Sequence, residues 1–368
     1  MSKKNNKNLS HSAFKELARQ HQIAFKTAPK EKGGLGIERF PTRVMHRRNK
    51  DGELKEYKIP VESSLMWEDC KDAFGNYIIF YEGFRKHISD AVKSRTRIEQ
   101  SKVENRFSCS QMVTNLLRSE HIPYNVFFPL HKDEETVALF NDILGEVRIE
   151  SITDIRIEFA PVRFEAASSK EVPLLGDGTA FDVYVEYVPI HSQPGQKGGI
   201  GIEVKYTEKE YRLNQESKEF HETHDEKGIH LADNYKIPSH EIGWFKSEYL
   251  SDVPYEEKEK IEKHFVADKY RQIWRNHLLG AAMILNGDLS EFTSLTVFPE
   301  GNGHFREDDK NHLWSAYKEK LTEEGKPTLK YLTFENLFSK MCKHLHFQGA
   351  VDWIDYLERR YIPSSFFK

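Results

Sequence analysis

Cysteine is scarce in this chain: Cys70, Cys109 and Cys342 are the only three in 368 residues, scattered and odd in number. That excludes a disulfide framework and fits a reducing compartment, so a cytoplasmic protein is expected. Long apolar runs are missing too. No stretch approaches the roughly 20 apolar residues that a bilayer crossing needs, so no membrane location is expected. The opening Met-Ser-Lys-Lys-Asn-Asn-Lys has no apolar stretch behind it, so no secretory leader is expected. Gly33-Gly34-Leu35-Gly36 has no following Lys-Ser/Thr, which excludes a phosphate loop. His221, His224, His230 and His240 fall within one stretch but without cysteine partners, so they read as surface histidines and not as a zinc centre. No internal repeat is present.

Charge of one sign is not in excess either: 54 Lys and Arg face 58 Asp and Glu, a net charge of −4. Its distribution is uneven. Residues 1–60 hold 15 Lys and Arg against 6 Asp and Glu, a local footprint that suits nucleic acid. Residues 1–10 read as a solvated terminus, while 37–60 mix apolar and basic residues and read as folded. From 63 to 99 the aromatics Trp67, Phe74, Tyr77, Phe80, Tyr81 and Phe84 recur at near-helical spacing. This predicts mostly helix with the aromatics in packing, although Gly75 and Gly83 interrupt it. A helix is expected over 102–118, with Glu104, Ser108, Gln111 and Asn115 on one face. Residues 135–145 predict a short helix. Residues 152–166 alternate as a strand, with Pro161 at a bulge or edge. Residues 256–286 carry a strong helical pattern, and 292–298 read as a strand stopped by Pro299.

The richest stretch is 179–206. Two β-rich runs, Thr-Ala-Phe-Asp-Val-Tyr-Val-Glu-Tyr-Val and Ile-Gly-Ile-Glu-Val-Lys-Tyr, flank a polar, glycine-rich turn at 191–199. Strand side chains alternate faces, so Glu203 and Lys205 point the same way. A hairpin symmetric about the turn sets Asp182 opposite Glu203, with Cβ atoms about 4.5–5.5 Å apart. Two carboxylates so placed repel unless something positive lies between them, and a hard divalent cation with oxygen ligands fits best. A solvated surface hairpin is the alternative reading of the same residues.

Asp182 with Glu203-Val204-Lys205 resembles the PD-(D/E)XK nuclease superfamily, the restriction-endonuclease-like fold, with Phe181 where the motif's proline would stand. The order helix, strand, strand, strand, helix, strand is similar to that superfamily's α-β-β-β-α-β core. The fold class expected is α/β, with this core on a central mixed sheet. Around it are expected a basic, largely helical N-terminal region (1–99), a nuclease domain (100–345) with a charged insertion (207–255), and a helical tail (346–368). Many branches carry a glutamine on the later helix, commonly followed four residues on by tyrosine. Gln272 matches the first position, and Asn276 stands at the second. With Ser110-Gln111, Asn115 and Glu203–Glu208, these residues resemble a bacterial family assigned as restriction endonucleases.

The resemblance implies a set of roles. Asp182 and Glu203 would hold Mg²⁺ or Mn²⁺, with Glu104 adding an oxygen from the earlier helix. Lys205 would position or deprotonate the attacking water, and Gln272 would bond Lys205 or the phosphate. Arg275, Asn276 and Gln111 would contact substrate, Arg275 being equally suited to a structural ion pair. The implied substrate is DNA, and the implied activity is that of an endonuclease in restriction or phage defence, as a homodimer or with a partner protein. Two alternatives stay open: a repair or recombination nuclease acting on ends or branched DNA, and a catalytically silent scaffold that binds nucleic acid. The aromatics of the insertion leave it open as a lid, a DNA contact or a dimer surface.

Overall fold

The computed structural model describes residues 9–48, 53–100, 109–165, 169–209 and 213–363. The chain divides into two compact units, Met1–Pro129 with His346–Lys368, and Leu130–Leu345.

In the first unit, α1 (His11–Thr27) starts at Ser10, whose hydroxyl accepts the Ala13 N–H at 3.2 Å. Such a cap satisfies one of the donors that a helix start leaves unpaired. Phe14, Ala18 and Phe25 make its buried stripe. Strands β1 (Thr42–Arg48) and β2 (Leu54–Pro60) pair as an antiparallel hairpin. The helix expected from residue 63 begins only at α2 (Arg85–Gln100). Ahead of it, the Asp72 carboxylate accepts the N–H groups of Phe74 and Asn76, both at 2.9 Å, and Gly75 turns the chain at φ +78°. Asp and Gly compete with a helix in this way because one offers the backbone a local acceptor and the other a left-handed conformation. The aromatics do pack: Phe84 lies 5.7 Å from Trp353, and Tyr81 lies 5.2 Å from Tyr356. Phe74 and Trp67 are the exceptions, at 88% and 47% exposure. Short helices α3 (Cys109–Thr114) and α4 (Ile122–Val126) follow.

The second unit opens with α5 (Glu134–Leu144), capped by the Asp133 carboxylate at 2.9 Å from the Thr136 N–H and closed by left-handed Gly145. Next comes β3 (Ile149–Phe159). The single strand expected to 166 ends at Phe159 instead, ahead of Pro161, because proline cannot donate to a ladder. Beyond it, β4 (Val162–Glu165) pairs with β5 (Lys170–Pro173) as a separate ribbon. Then follow β6 (Phe181–Pro189), β7 (Gly198–Val204), α6 (Lys218–Thr223), β8 (Gly228–Ile229), α7 (Asp233–Glu241) and β9 (Val253–Pro254). The expected helix over 256–286 is two, α8 (Lys258–Lys263) and α9 (Asp268–Leu285). The unit ends with β10 (Glu291–Phe298), α10 (Leu313–Lys318), β11 (Leu329–Thr333) and α11 (Phe334–His344), after which α12 (Ala350–Tyr361) returns to the first unit.

Five strands form the central mixed sheet, in the order β11-β10-β7-β6-β3. Strands β7, β10 and β11 run parallel, while β6 is antiparallel to both β7 and β3. This realises the α-β-β-β-α-β order and adds β11, an edge strand that sequence pattern did not reveal. Glycines in β7 make room for rings of β6: a Cβ on Gly198 would lie 2.3 Å from the Tyr187 ring, and one on Gly201 would lie 2.4 Å from Phe181. Behind the sheet, Trp274, Leu278 and Leu279 of α9 share one core with Phe292 and Phe298 of β10. The charged insertion is part of that core. Leu231, Tyr235, Trp244, Phe245 and Leu250 are buried in it, with Tyr235 edge-on to Trp274 at 5.4 Å.

Gly280 sets how closely α9 approaches the sheet, because a Cβ there would lie 2.0 Å from the Phe292 ring. Gly280→Ala is expected to destabilise the protein by about 1–3 kcal/mol, the usual range for overpacking. A lowered urea midpoint with an unchanged m-value is the outcome that urea unfolding monitored by circular dichroism should give.

Candidate active site

The ladder between β6 and β7 pairs Val183 with Ile202 and Tyr184 with Gly201. The same register places Asp182 across from Glu203, the arrangement that symmetry about the turn predicts. The strand end is then tied across by one bond, in which the Val204 N–H donates to Asp182 Oδ2 at 2.7 Å. On the other flank, Glu203 pairs with Thr296 of β10 in parallel register, and the Lys205 N–H donates to the Val297 carbonyl at 2.8 Å. Glu203 and Lys205 share a face, and the Lys205 ammonium donates to Glu203 Oε1. Lys205 is 5% exposed, so this ion pair is largely withdrawn from water.

Helix α9 supplies the rest. Gln272 and Asn276 sit four residues apart and so occupy one helix face. The Asn276 amide donates to Glu203 Oε2. Glu203 is thereby held at both oxygens, by a cation and by an amide. Gln272 lines a narrow cleft together with Glu203, Lys205, Thr296 and His304. Its Oε1 is buried and accepts no hydrogen bond among the described residues. His304 arrives from the turn after β10, which Asn302 fixes by donating to the carbonyls of Tyr206 at 3.0 Å and Glu208 at 3.1 Å. Glu208 itself closes the end of β7 by accepting the Tyr206 N–H at 2.7 Å.

Burial pushes the Asp182 carboxyl well above the usual carboxylate range, and repulsion from Glu203 and Glu158 adds to this. Lys205 and the Val204 N–H pull it back only in part. For Lys205 burial acts to lower the pKa, but Glu203 and Asp182 outweigh it and hold the ammonium above its ordinary value. The site therefore carries one firmly held cation against two crowded carboxylates. Glu158 belongs to the same row, since β3 pairs Ile157 with Val183 and Phe159 with Phe181 around it. No motif pointed to Glu158, because its proximity comes from strand register alone.

The donor set fits a hard divalent cation. Two carboxylates converge, their repulsion is only partly offset, and oxygen is the ligand atom. Among the described residues, no group of three or more His, Cys, Asp or Glu side chains is placed to hold a metal. Glu104, expected to add an oxygen, lies outside the described residues. Gln111 is exposed on α3 of the first unit. Arg275, expected to clamp phosphate or to form an ion pair, is engaged within the protein. It donates to Asp177 Oδ2 at 2.9 Å, to Thr179 Oγ1 at 2.6 Å and to Glu219 at 3.3 Å. Asp177 also accepts the Tyr235 hydroxyl, so this cluster binds α6 and α7 of the insertion to the loop before β6. Asn276 likewise makes its bond to Glu203 and is part of the frame of the site.

The family model described as PD-(D/E)XK nuclease superfamily matches residues 9–363, nearly the whole chain. No curated protein and no solved structure matches it.

Two outcomes follow from the electrostatics. An acid with a raised folded-state pKa holds its proton more tightly folded than unfolded. The metal-free protein should thus lose stability as pH rises from the ordinary carboxylate range toward the raised pKa of Asp182. Asp182→Asn should flatten that dependence and raise the neutral-pH Tm by about 2–4 °C, or about 1 kcal/mol. Scanning calorimetry across pH checks this, and a variant that melts lower than wild type at neutral pH would contradict it. Arg275→Ala should instead destabilise by about 2 kcal/mol, because it leaves Asp177 and Glu219 without their cation in a partly screened site. Chemical denaturation decides, and an unchanged midpoint would return Arg275 to the role of a surface phosphate contact.

Proposed function

The chain belongs to the PD-(D/E)XK nuclease superfamily, and on that premise we propose that it hydrolyses phosphodiester bonds of DNA as a metal-dependent endonuclease. The observation that carries this reading is the convergence of Asp182, Glu203 and Lys205 on one strand end, backed by Gln272 and Asn276 from α9. A surface hairpin has no need to hold a glutamate by an ammonium and an amide at once.

Asp182 and Glu203 would hold Mg²⁺ or Mn²⁺, with a backbone carbonyl near Val204 as a further oxygen. When bound, the cation supplies Lewis-acid polarisation of the phosphate and lowers the pKa of a coordinated water. Lys205 is the residue with the sharpest role. Its ammonium is kept charged by its neighbours, so at neutral pH in the metal-free site it acts as an electrostatic clamp and not as a base. It can donate to a phosphate oxygen or to the attacking water while remaining protonated. Asn276 holds the second oxygen of Glu203, so that only Oε1 engages that ammonium. Gln272 lines the cleft with a buried acceptor that takes no hydrogen bond among the described residues, and an acceptor suits a water or a Lys205 N–H, not a phosphate oxygen, which carries no hydrogen. Its amide nitrogen is the part that would face phosphate.

We place the work of the protein in the cytoplasm, in line with its three scattered cysteines. A role in restriction or phage defence is part of the proposal and rests on the resemblance of its motifs. Incubation of the purified protein with closed-circular plasmid and Mg²⁺, Mn²⁺ or EDTA is the direct test. Nicked or linear products that need metal support an endonuclease. Cutting confined to linear DNA would favour a nuclease of ends, and binding without cutting under any metal would favour the scaffold. Lys205→Ala should lower the cleavage rate by about 10²–10³-fold or more, the effect of deleting one preorganised charge-stabilising donor, with its circular dichroism spectrum retained. Cleavage at the wild-type rate by this variant would sink the assignment.

A further inference from the structure

Among the described residues, the hairpin of β1 and β2 is exposed along both strands. Every residue of β2 is exposed, and so are residues 42–46 of β1. Its large apolar side chains share that exposure, with Val44 at 46%, Tyr57 at 47% and Leu54 at 65%. A lone two-stranded hairpin is marginal in water, yet the base of this one is firmly tied. Buried Lys26 of α1 donates to the carbonyls of both Arg39 and Glu62, one on each side of the base, and to that of Ser64 at 3.2 Å. Val61 closes the base by donating to the Pro41 carbonyl at 2.9 Å. The result is a bare ribbon on a fixed mount.

Register sorts the two faces. Arg43 pairs with Ile59, Met45 with Tyr57, and Arg47 with Lys55. Directly paired residues share a face, so one face carries basic and apolar residues with no acid. On the other face Val44 pairs with Lys58, and His46 with Glu56. The fourteen strand residues hold Arg43, Arg47, Arg48, Lys55 and Lys58 against Glu56 alone. Such a ribbon would meet a second copy of itself charge against charge, which opposes self-association. It is complementary to a polyanion. A duplex major groove is about 12 Å wide and admits a two-stranded ribbon, with phosphates at its walls and thymine methyl groups on its floor.

We infer that the β1–β2 hairpin is a duplex-DNA grip, its acid-free face entering the groove so that Arg43 and Lys55 meet phosphates while Met45, Tyr57 and Ile59 lie on the base edges. The inference deepens the nuclease reading and rests on its choice of DNA as substrate. It makes double-stranded DNA the form that is held, and it separates holding from cutting.

The test is fluorescence anisotropy with a labelled duplex in EDTA over a range of salt, on the full chain. Wild type should bind with a salt-dependent affinity. Arg43→Gln with Lys55→Gln should lower the slope of log K against log salt by about 1.8, two phosphate contacts' worth, and weaken binding by about 10-fold or more at moderate salt. The charge-preserving pair Arg43→Lys with Lys55→Arg should keep the wild-type slope, which guards against a merely structural effect. Tyr57→Ala should weaken binding without changing the slope. Wild-type affinity and slope in the Gln pair would overturn the grip while leaving the nuclease reading intact. So would loss of a dimer in the Gln pair, seen by sedimentation, with duplex binding unchanged. Conversely, a duplex bound through the hairpin but never cut by wild type under any metal would support the grip and sink the nuclease.

Discussion

Two carboxylates that ought to repel each other are held side by side, and much of the second unit is arranged around keeping them there. Asp182 and Glu203 face each other across the antiparallel β6–β7 pair. Neither can turn away, because Val204 holds one and Lys205 with Asn276 holds the other. The cost is visible in Asp182, whose proton affinity is raised by burial and by its acidic neighbours. Strain of this kind survives only where the surroundings over-determine it. It also says what the site lacks among the described residues: a second positive charge close to Asp182, beyond the one ammonium that Glu203 already engages. A divalent cation would supply that charge, so the physical deficit and the chemistry usual in the superfamily point the same way.

The frame that enforces the arrangement is a matter of size more than of charge. Strand β7 carries Gly198, Gly199 and Gly201 because the rings of Tyr187, Tyr184 and Phe181 occupy the space beside them. Gly280 does the same for Phe292 on the helix side. The Gly280 contact lets α9 lie close against the sheet, and its polar positions, Gln272 and Asn276, come within reach of the strand end. The insertion then locks α9 from outside. Tyr235 stacks edge-on against Trp274, and the Arg275 cluster ties α6 and α7 to the loop before β6. The insertion, open in sequence as a lid, a DNA contact or a dimer surface, contributes a second wall of the core.

The parts of this that were legible in the sequence are those set by short-range geometry. A turn at 191–199 between two β-rich runs is enough to give the register, and the register is enough to oppose Asp182 and Glu203. Periodicity likewise located the buried face of α9. What could not be read depends on contacts between distant segments. The aromatics at 67–84 have helical spacing, but they are drawn into place by Trp353 and Tyr356, nearly three hundred residues away, while Asp72 and Gly75 bend the chain locally. Glu158 has no motif and enters the acidic row only through strand pairing. Edge strand β11 is five residues long and offers too few alternations to stand out. The β1–β2 ribbon was visible as a basic, partly apolar stretch, but nothing in its pattern announced that both faces would be left bare.

Asn276 shows why a departure from a familiar pattern need not be a loss. Relatives of this superfamily commonly carry tyrosine four residues after the glutamine, and its phenol is an O–H donor. The asparagine here is shorter, but its amide is also a donor, and it reaches Glu203 because Gly280, four residues further along the same helix, lets α9 approach the sheet. What the site needs at this position is a neutral hydrogen-bond donor to one carboxylate oxygen. A second ammonium there would neutralise the charge that suits the pair to a cation, while an apolar residue would leave Glu203 free to fold wholly onto Lys205. Between those two failures, an amide held on a rigid helix satisfies the carboxylate without discharging it.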